Sequence, residues 1–160
     1  MATREIILLR HAHADSAAAG EDDMARSLSA EGEAEADAAG VWLKQHGAAP
    51  QRVLFSPAAR TRETCERVLA ALGHTDARSE ARIYDATPAS LLRVLDDHAD
   101  VNSVMLVGHN PGLENLVALL TEGASDSGRG MPPASVAWLA LPDAEAIEPG
   151  SAEARHFWWP

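Results

Sequence analysis

Cysteine is almost absent from this chain of 160 residues, which contains only Cys65. A single cysteine cannot form an intramolecular disulfide, so the sequence excludes a disulfide-stapled secreted fold and favours a reducing compartment. Long apolar runs are missing as well, because the first one ends at Leu9 and none approaches the length of a transmembrane helix. We therefore expect a soluble, cytoplasmic protein.

Positive charge is also scarce in this chain. The 13 Lys and Arg residues are outnumbered by 24 Asp and Glu residues, and the formal net charge is -11 at pH 7. A surface of this sign repels nucleic acids and anionic membranes, so neither is an expected partner. An anion-binding site would need a local group of arginines, which directs attention to Arg10, Arg26, Arg60 and Arg62.

The order of strand-like and helical segments predicts an α/β fold in one domain, residues 1–160. The order predicts a three-layer α-β-α sandwich with a mostly parallel sheet and a C-terminal antiparallel hairpin. The predicted strands are residues 6–9, 52–56, 82–84, 102–108, 134–141 and 154–159. The predicted helices are residues 29–46, 57–72 and 88–98 and a segment after Gly112, and residues 123–133 are a predicted polar loop.

Two of the predicted parallel strands lead into histidine. Arg10 and His11 follow the first strand, and His109 follows residues 102–108. The carboxyl ends of parallel strands meet at one edge of the sheet, which is where ligands of open α/β sheets bind. The strand at residues 52–56 brings Arg60 to the same edge. We therefore expect these four side chains to form one pocket.

Two arginines beside two histidines favour phosphoryl transfer. Arginine binds phosphate oxygens through a planar fork and keeps its charge. A neutral imidazole such as His11 can attack phosphorus, while His109, held protonated by the bound phosphate dianion, can stabilise the charge on the transferring group. The sequence has no P-loop that would hold a nucleotide, and no metal or other cofactor is expected.

Four motifs occur in order along the chain: LLRHAHAD at residues 8–15, D-x-x-R-x-L-S-x-x-G at residues 23–32, SPAARTRET at residues 56–64 and VGHNPG at residues 107–112. Through them, nearly the whole chain resembles the histidine phosphatase superfamily (phosphoglycerate mutase-like). It is most similar to the short SixA-type phosphohistidine phosphatases. One departure from the common pattern is Ala12, where many relatives have glycine after Arg-His.

The resemblance implies a role for each matching residue. His11 would be the phosphorylated nucleophile, Arg10 and Arg60 the phosphate clamp, and His109 the second histidine of the pocket. Larger relatives supply a glutamate as general acid after the third strand, and Asp85 is its nearest equivalent here. The remaining substrate-binding residues implied by the motifs are Asn110 beside His109, and Asp23 and Arg26 at the mouth of the pocket.

The resemblance and the leaving-group chemistry together predict a phosphohistidine-bearing protein as substrate. Imidazole, with an unperturbed pKa of about 6.5, departs with less help from an acid than an alkoxide needs. Short loops leave little chain for a lid, so the pocket would admit a phosphate carried by a protein. Small phosphate monoesters are the alternative substrates.

Two further interpretations use the same residues. His11, His13 and Asp15 match the opening of the H-x-H-x-D-H zinc motif of metallo-β-lactamase-like hydrolases, but Ser16 replaces the final histidine, and zinc needs at least three well-placed ligands. A phosphate-sensing binding module would need the arginines and not the nucleophile. A phosphatase without metal accounts for more of the residues than either interpretation.

Overall fold

The computed structural model describes residues 3–73, 75–125, 130–142 and 146–160. Within these residues, six strands form one sheet: β1 (Thr3–Arg10), β2 (Arg52–Phe55), β3 (Asp76–Ser79), β4 (Ser103–Gly108), β5 (Val136–Pro142) and β6 (Glu153–Trp158). The strand order is β3-β2-β4-β1-β5-β6. The strands β3, β2, β4 and β1 pair in parallel, and β5 pairs antiparallel with both β1 and β6. The predicted mixed sheet with a C-terminal antiparallel pair is confirmed.

Four helices accompany the sheet in the described residues: α1 (Ala30–Gln45), α2 (Ala59–Leu72), α3 (Pro88–Asp97) and α4 (Gly112–Glu122). Local sequence determines where they begin. The Ser29 side chain accepts a hydrogen bond from the Gly32 N–H and caps α1 as predicted, and Thr87 caps α3 in the same way. None of these helices is long and apolar enough to cross a membrane.

The side chains of β1 alternate between two apolar cores, as the period of two in a strand requires. Ile6 and Leu8 pack with side chains of α3 and α4 on one face of the sheet. Ile7 and Leu9 pack with side chains of α1 and α2 on the other face. The helices thus form the two outer layers of the predicted sandwich. Cys65 of α2 lies in the second core, where burial raises the pKa of its thiol to about 12.

The predicted strand at residues 82–84 is wrong. The chain forms a 3-10 turn at Ala81–Ile83, and the edge strand β3 lies just before it at Asp76–Ser79. Ile83 is 1% exposed and anchors the turn in the core. A buried β-branched residue is also typical of a strand, and this explains the wrong prediction. All four residues of β3 are exposed, so no apolar alternation marks them. Helix α2 begins at Ala59 rather than at residue 57, and residues 126–129 of the predicted loop lie outside the described residues.

Candidate active site

The pairing of β1 with β4 brings the two histidines together. Arg10 lies opposite Gly108 in the parallel register, and the His11 N–H donates to the Gly108 carbonyl at 3.0 Å. The chain continues from both strand ends at the same edge, so the ring centroids of His11 and His109 are 5.2 Å apart. The structure therefore brings together the pair that parallel-strand geometry predicts.

The His11 imidazole is held in one tautomer by its own backbone. Its Nδ1 lies 2.7 Å from the carbonyl oxygen of Ala12, which can only accept, so Nδ1 carries the proton and Nε2 carries the lone pair. Burial, opposed by the Ala12 hydrogen bond and assisted by the charges of Arg10 and Arg60, lowers the pKa of His11 to about 4. His11 is therefore neutral near pH 7, with Nε2 available as a nucleophile.

His109 is oriented by Ser56. The His109 Nε2 lies 2.8 Å from the Ser56 hydroxyl, which is fully buried and accepts a bond from the Ala58 N–H at 3.3 Å. The buried hydroxyl proton needs an acceptor, and Nε2 is the one within reach, so the ring proton of neutral His109 lies on Nδ1. Burial, together with nearby positive charge, lowers the pKa of His109 to about 3.

The two arginines are anchored in the same manner. The Arg10 Nη1 donates to the Met131 carbonyl at 2.7 Å, and the Arg60 Nη1 donates to the Asp23 carbonyl at 2.9 Å. In both residues the Nε atom is buried and has no hydrogen-bond partner. Each guanidinium is thus anchored through its terminal nitrogens, and its Nε remains unpaired.

Three of the residues predicted to form the site have a buried polar atom without a partner in the described part of the chain. Six buried side-chain nitrogen or oxygen atoms lack a partner in the described residues, and three of them are Arg10 Nε, Arg60 Nε and His109 Nδ1. Leaving a buried polar group unpaired costs about 1–3 kcal/mol, so proteins rarely accumulate such groups without a use for them. Three N–H donors beside a neutral imidazole match the needs of a phosphoryl group.

Comparison with known proteins agrees with this geometry. The family model "Histidine phosphatase superfamily (branch 1)" matches residues 6–87, which include the Arg-His pair, Arg60 and Asp85. The chain belongs to the histidine phosphatase superfamily. An uncharacterized chloroplastic protein of Arabidopsis thaliana is 34% identical over 134 residues, or 77% of this chain and 61% of that protein. The chain spans 61% of the length of the curated relatives it matches.

Solved structures of this superfamily place the chain in its SixA-type group. A candidate phosphohistidine phosphatase SixA from Agrobacterium tumefaciens is 30% identical, with a TM-score of 0.86 and 98% of both chains covered. A protein histidine phosphatase SixA complexed with tungstate is 25% identical, with a TM-score of 0.83 and 98% of this chain and 97% of that chain covered. The SixA-type resemblance is confirmed.

The cavity beside His109 in this superfamily member is small, about 120 Å³. Asp23, Arg60, Asp85 and Asn110 are among its lining residues, whereas Arg10 and His11 are not. Asp85 adopts a left-handed backbone conformation with a φ of 54°, which is unusual for a residue other than glycine. The Asn110 amide donates to the Met131 carbonyl at 2.9 Å, and its oxygen accepts from the Glu114 N–H at 3.2 Å. Asn110 thus shapes the wall of the cavity and supports the start of α4.

Asp23 and Arg26 lie at the mouth, where they bind each other. The Arg26 Nη1 donates to Asp23 Oδ1 at 3.1 Å, and Arg26 Nε donates to the Asp15 carbonyl at 2.9 Å. Hydrogen bonds from Tyr84, Arg26 and Arg60 hold the pKa of Asp23 well below its usual range. Asp23 is therefore a carboxylate in the resting pocket, and it lines the cavity, whereas Arg26 is not among the lining residues.

Sequence reasoning missed two residues of this site, Tyr84 and Ser56. Tyr84 lines the cavity beside Asp85, and its ring meets the His109 ring edge-on at a centroid distance of 5.5 Å. Ser56 was recognised only as part of a motif, although it orients His109. A signal for Tyr84 was its position next to Asp85, as the one tyrosine of the chain.

The structure separates the residues of the zinc-motif interpretation. The His11 ring lies against His109, whereas His13 Nδ1 lies 2.7 Å from the Ser29 hydroxyl at the cap of α1. Throughout the described ranges, no three His, Cys, Asp or Glu side chains are grouped so that they could hold a metal ion. His11, His13 and Asp15 therefore do not form a ligand set here.

The low pKa values of the two histidines predict a pH dependence of stability. Unfolded histidine takes up its proton near pH 6.5, but folded His11 does so at about 4 and His109 at about 3. Below pH 6.5 the unfolded chain thus binds more protons, and the free energy of unfolding falls as the pH falls. Each histidine contributes a slope of up to about 1.4 kcal/mol per pH unit.

Urea titrations between pH 7 and pH 4 measure this slope. We expect His11→Asn to make it shallower over the same range, because asparagine does not titrate. An identical slope in His11→Asn and the parent protein would contradict the low pKa of His11.

Proposed function

We propose that this protein is a phosphatase that works through a covalent phosphohistidine at His11 and needs no metal ion. The observation that carries the proposal is a neutral His11 imidazole that has the His109 ring 5.2 Å away and the charges of Arg10 and Arg60 near enough to lower its pKa. Each of these three neighbours has a buried N–H or ring nitrogen without a partner among the described residues. Two guanidinium charges and a hydrogen bond from an imidazole N–H can stabilise the negative charge of the equatorial phosphoryl oxygens, which is the task that a metal performs in other phosphoryl-transfer enzymes.

The proposed reaction has two displacements at phosphorus. In the first, the His11 Nε2 lone pair forms the N–P bond while the bond from phosphorus to the leaving group breaks. Asp85 supplies the proton that the leaving group takes up. In the second, water attacks phosphorus, Asp85 takes its proton, the N–P bond breaks, and inorganic phosphate leaves with His11 restored. Arg10, Arg60 and His109 hold the phosphoryl oxygens in both steps.

The proposed substrate is phosphohistidine carried by a protein. The cavity of about 120 Å³ is small beside the roughly 300–1,000 Å³ of pockets that enclose drug-sized ligands, so it suits a phosphoryl group and a small ring. Asp23 is held ionised and cannot donate a proton, which leaves Asp85 as the other carboxylic acid of the cavity lining. A site with few proton donors favours the imidazole leaving group. The SixA-type neighbours support the same substrate class.

A turnover assay on two substrate classes tests this proposal. A phosphohistidine-bearing protein domain and a panel of small phosphate monoesters are compared with no added metal and again with a chelator. We expect faster release of phosphate from phosphohistidine, unchanged by the chelator. We also expect Asp85→Asn to slow monoester hydrolysis about tenfold or more, with a smaller effect on phosphohistidine, because alkoxide departure depends more on an acid.

The other outcomes are informative. A preference for monoesters would keep the His11 mechanism and move the substrate to metabolites. Binding of phosphate without turnover of either class would favour a phosphate-sensing module. Loss of activity in chelator, restored by a divalent metal, would contradict the metal-free mechanism.

A further inference from the structure

We infer that Tyr84 is a positioning residue for phosphoryl transfer, which acts through Asp23 to hold the Arg60 guanidinium with its Nε edge toward the substrate. The inference rests on the proposed function, since it assigns Arg60 to the phosphate clamp. None of the four motifs that mark the superfamily in this chain contains Tyr84.

One carboxylate oxygen joins the three side chains. The Tyr84 hydroxyl donates to Asp23 Oδ2 at 2.5 Å, and the Arg60 Nη2 donates to the same oxygen at 3.0 Å. The Arg60 Nη1 donates to the Asp23 carbonyl at 2.9 Å. Asp23 thus occupies the end of the guanidinium with its carboxylate and its carbonyl oxygen together.

The contact with Asp23 determines which N–H donors of the Arg60 guanidinium remain available to a substrate. A guanidinium has five N–H donors in one plane, and each terminal nitrogen carries two of them. Asp23 uses one proton of Nη1 and one of Nη2. Of the three that remain, the second Nη1 proton lies on one side of the plane's axis, and Nε–H and the second Nη2 proton lie together on the other. These two form the lateral fork of the side chain, and Nε is buried without a partner. The fork has the geometry that binds two oxygens of one phosphate.

Asp23 has no apolar anchor of its own. It begins a 3-10 turn, Asp23–Ala25, and none of the three residues is buried. The Asp23 side chain is 46% exposed, whereas that of Arg60 is 8% exposed. The polar contacts with Arg60, Arg26 and Tyr84 therefore hold the carboxylate in place. Without the Tyr84 hydroxyl, Oδ2 keeps only its bond from Arg60, and the carboxylate that positions Arg60 is held less firmly.

The Tyr84 ring and its hydroxyl have separable roles. The ring packs edge-on against His109, with an interplanar angle of 87°, and this contact does not need the hydroxyl. Tyr84→Phe therefore removes the bond to Asp23 while it keeps the packing against His109. Since the chain has one tyrosine, tyrosinate absorbance also reports on Tyr84 alone.

Affinity for tungstate, an inert analogue of phosphate, tests the inference without any turnover. We expect Tyr84→Phe to weaken tungstate binding by about 3- to 10-fold, since a hydrogen bond to a charged group is lost. Asp23→Ala should weaken it by about tenfold or more, and the double variant should match Asp23→Ala, because Tyr84 acts through Asp23. Thermal unfolding of each variant checks that the fold is retained.

Absorbance titration provides a second, independent readout. The hydrogen bond to the Asp23 carboxylate raises the pKa of Tyr84 above its ordinary value, and we expect Asp23→Asn to bring it back toward that value. An equal loss of tungstate affinity from Tyr84→Phe in the parent and Asp23→Ala backgrounds would overturn the inference, as would unchanged affinity in Tyr84→Phe. Tungstate binding without phosphohistidine turnover in the parent protein would contradict the proposed function alone.

Discussion

His11→Ala protein is expected to fold, to bind tungstate and to release no phosphate from any substrate. The backbone of His11 keeps its bonds to Gly108 and Ala134 after the substitution, so the strand edge is unaffected. The lost group is the Nε2 nucleophile, for which the pocket has no neighbouring substitute in the correct tautomer. We expect kcat to fall by at least about 10³-fold, as when other covalent nucleophiles are removed.

Trapping the intermediate makes this prediction specific. Protein quenched in base during turnover should carry a phosphoryl group that is stable to alkali and labile to acid, and His11→Ala should carry none. His13→Ala is the matched control, because His13 lies two residues away and binds Ser29 outside the pocket. Equal losses in the two variants would revive the metal interpretation, and undiminished turnover in folded His11→Ala would end the proposed mechanism.

Arg60→Ala is expected to lower kcat/KM by about 10²- to 10³-fold, the usual consequence of losing a charge-stabilising donor in a buried site. Arg60 is 7% exposed, so its charge acts where water does not screen it. Asp23, which is 46% exposed, remains solvated when its partner is removed, and the fold should persist. Steady-state kinetics with both substrate classes measures the effect.

Two further variants show whether activity depends on the paired N–H donors of Arg60 or only on its positive charge. Arg60→Lys keeps the charge and loses the paired donors, so we expect it to remain at least about tenfold below the parent protein. Arg62→Ala is the matched control on the same helix, because Arg62 is exposed and pairs with Glu66 at 3.3 Å. Full activity in Arg60→Lys, or an equal loss in Arg62→Ala, would contradict bidentate binding by Arg60.

Much of the candidate site could be predicted because its parts end strands or begin a helix. The runs before Arg10 and His109 are apolar throughout, and β1 and β4 are buried parallel neighbours whose carboxyl ends meet at one edge. The residues that directly follow two such neighbouring strands lie close together, and this does not depend on the conformation of the loops. The predicted helix cap at Ser29 was equally local, since it is made within three residues.

The edge strand and the mouth of the pocket could not be predicted in this way. Strand β3 has four exposed residues, and within the described part of the chain its one strand neighbour is β2, so its formation depends on a partner that is distant in the chain. The bond from Tyr84 to Asp23 joins residues 61 positions apart, with no repeat or periodicity between them. Such side-chain contacts depend on how two loops meet once the core has formed.

The sequence by itself determined the α/β architecture, the superfamily and the meeting of His11 and His109 at one edge of the sheet, because apolar periodicity and strand ends are local properties of the chain. Only the tertiary structure decided the protonation of the two histidines, since their low pKa values come from burial and from the charges of distant residues. It also decided which edge of Arg60 remains unpaired, because that edge depends on Asp23, which lies 37 residues away in the chain.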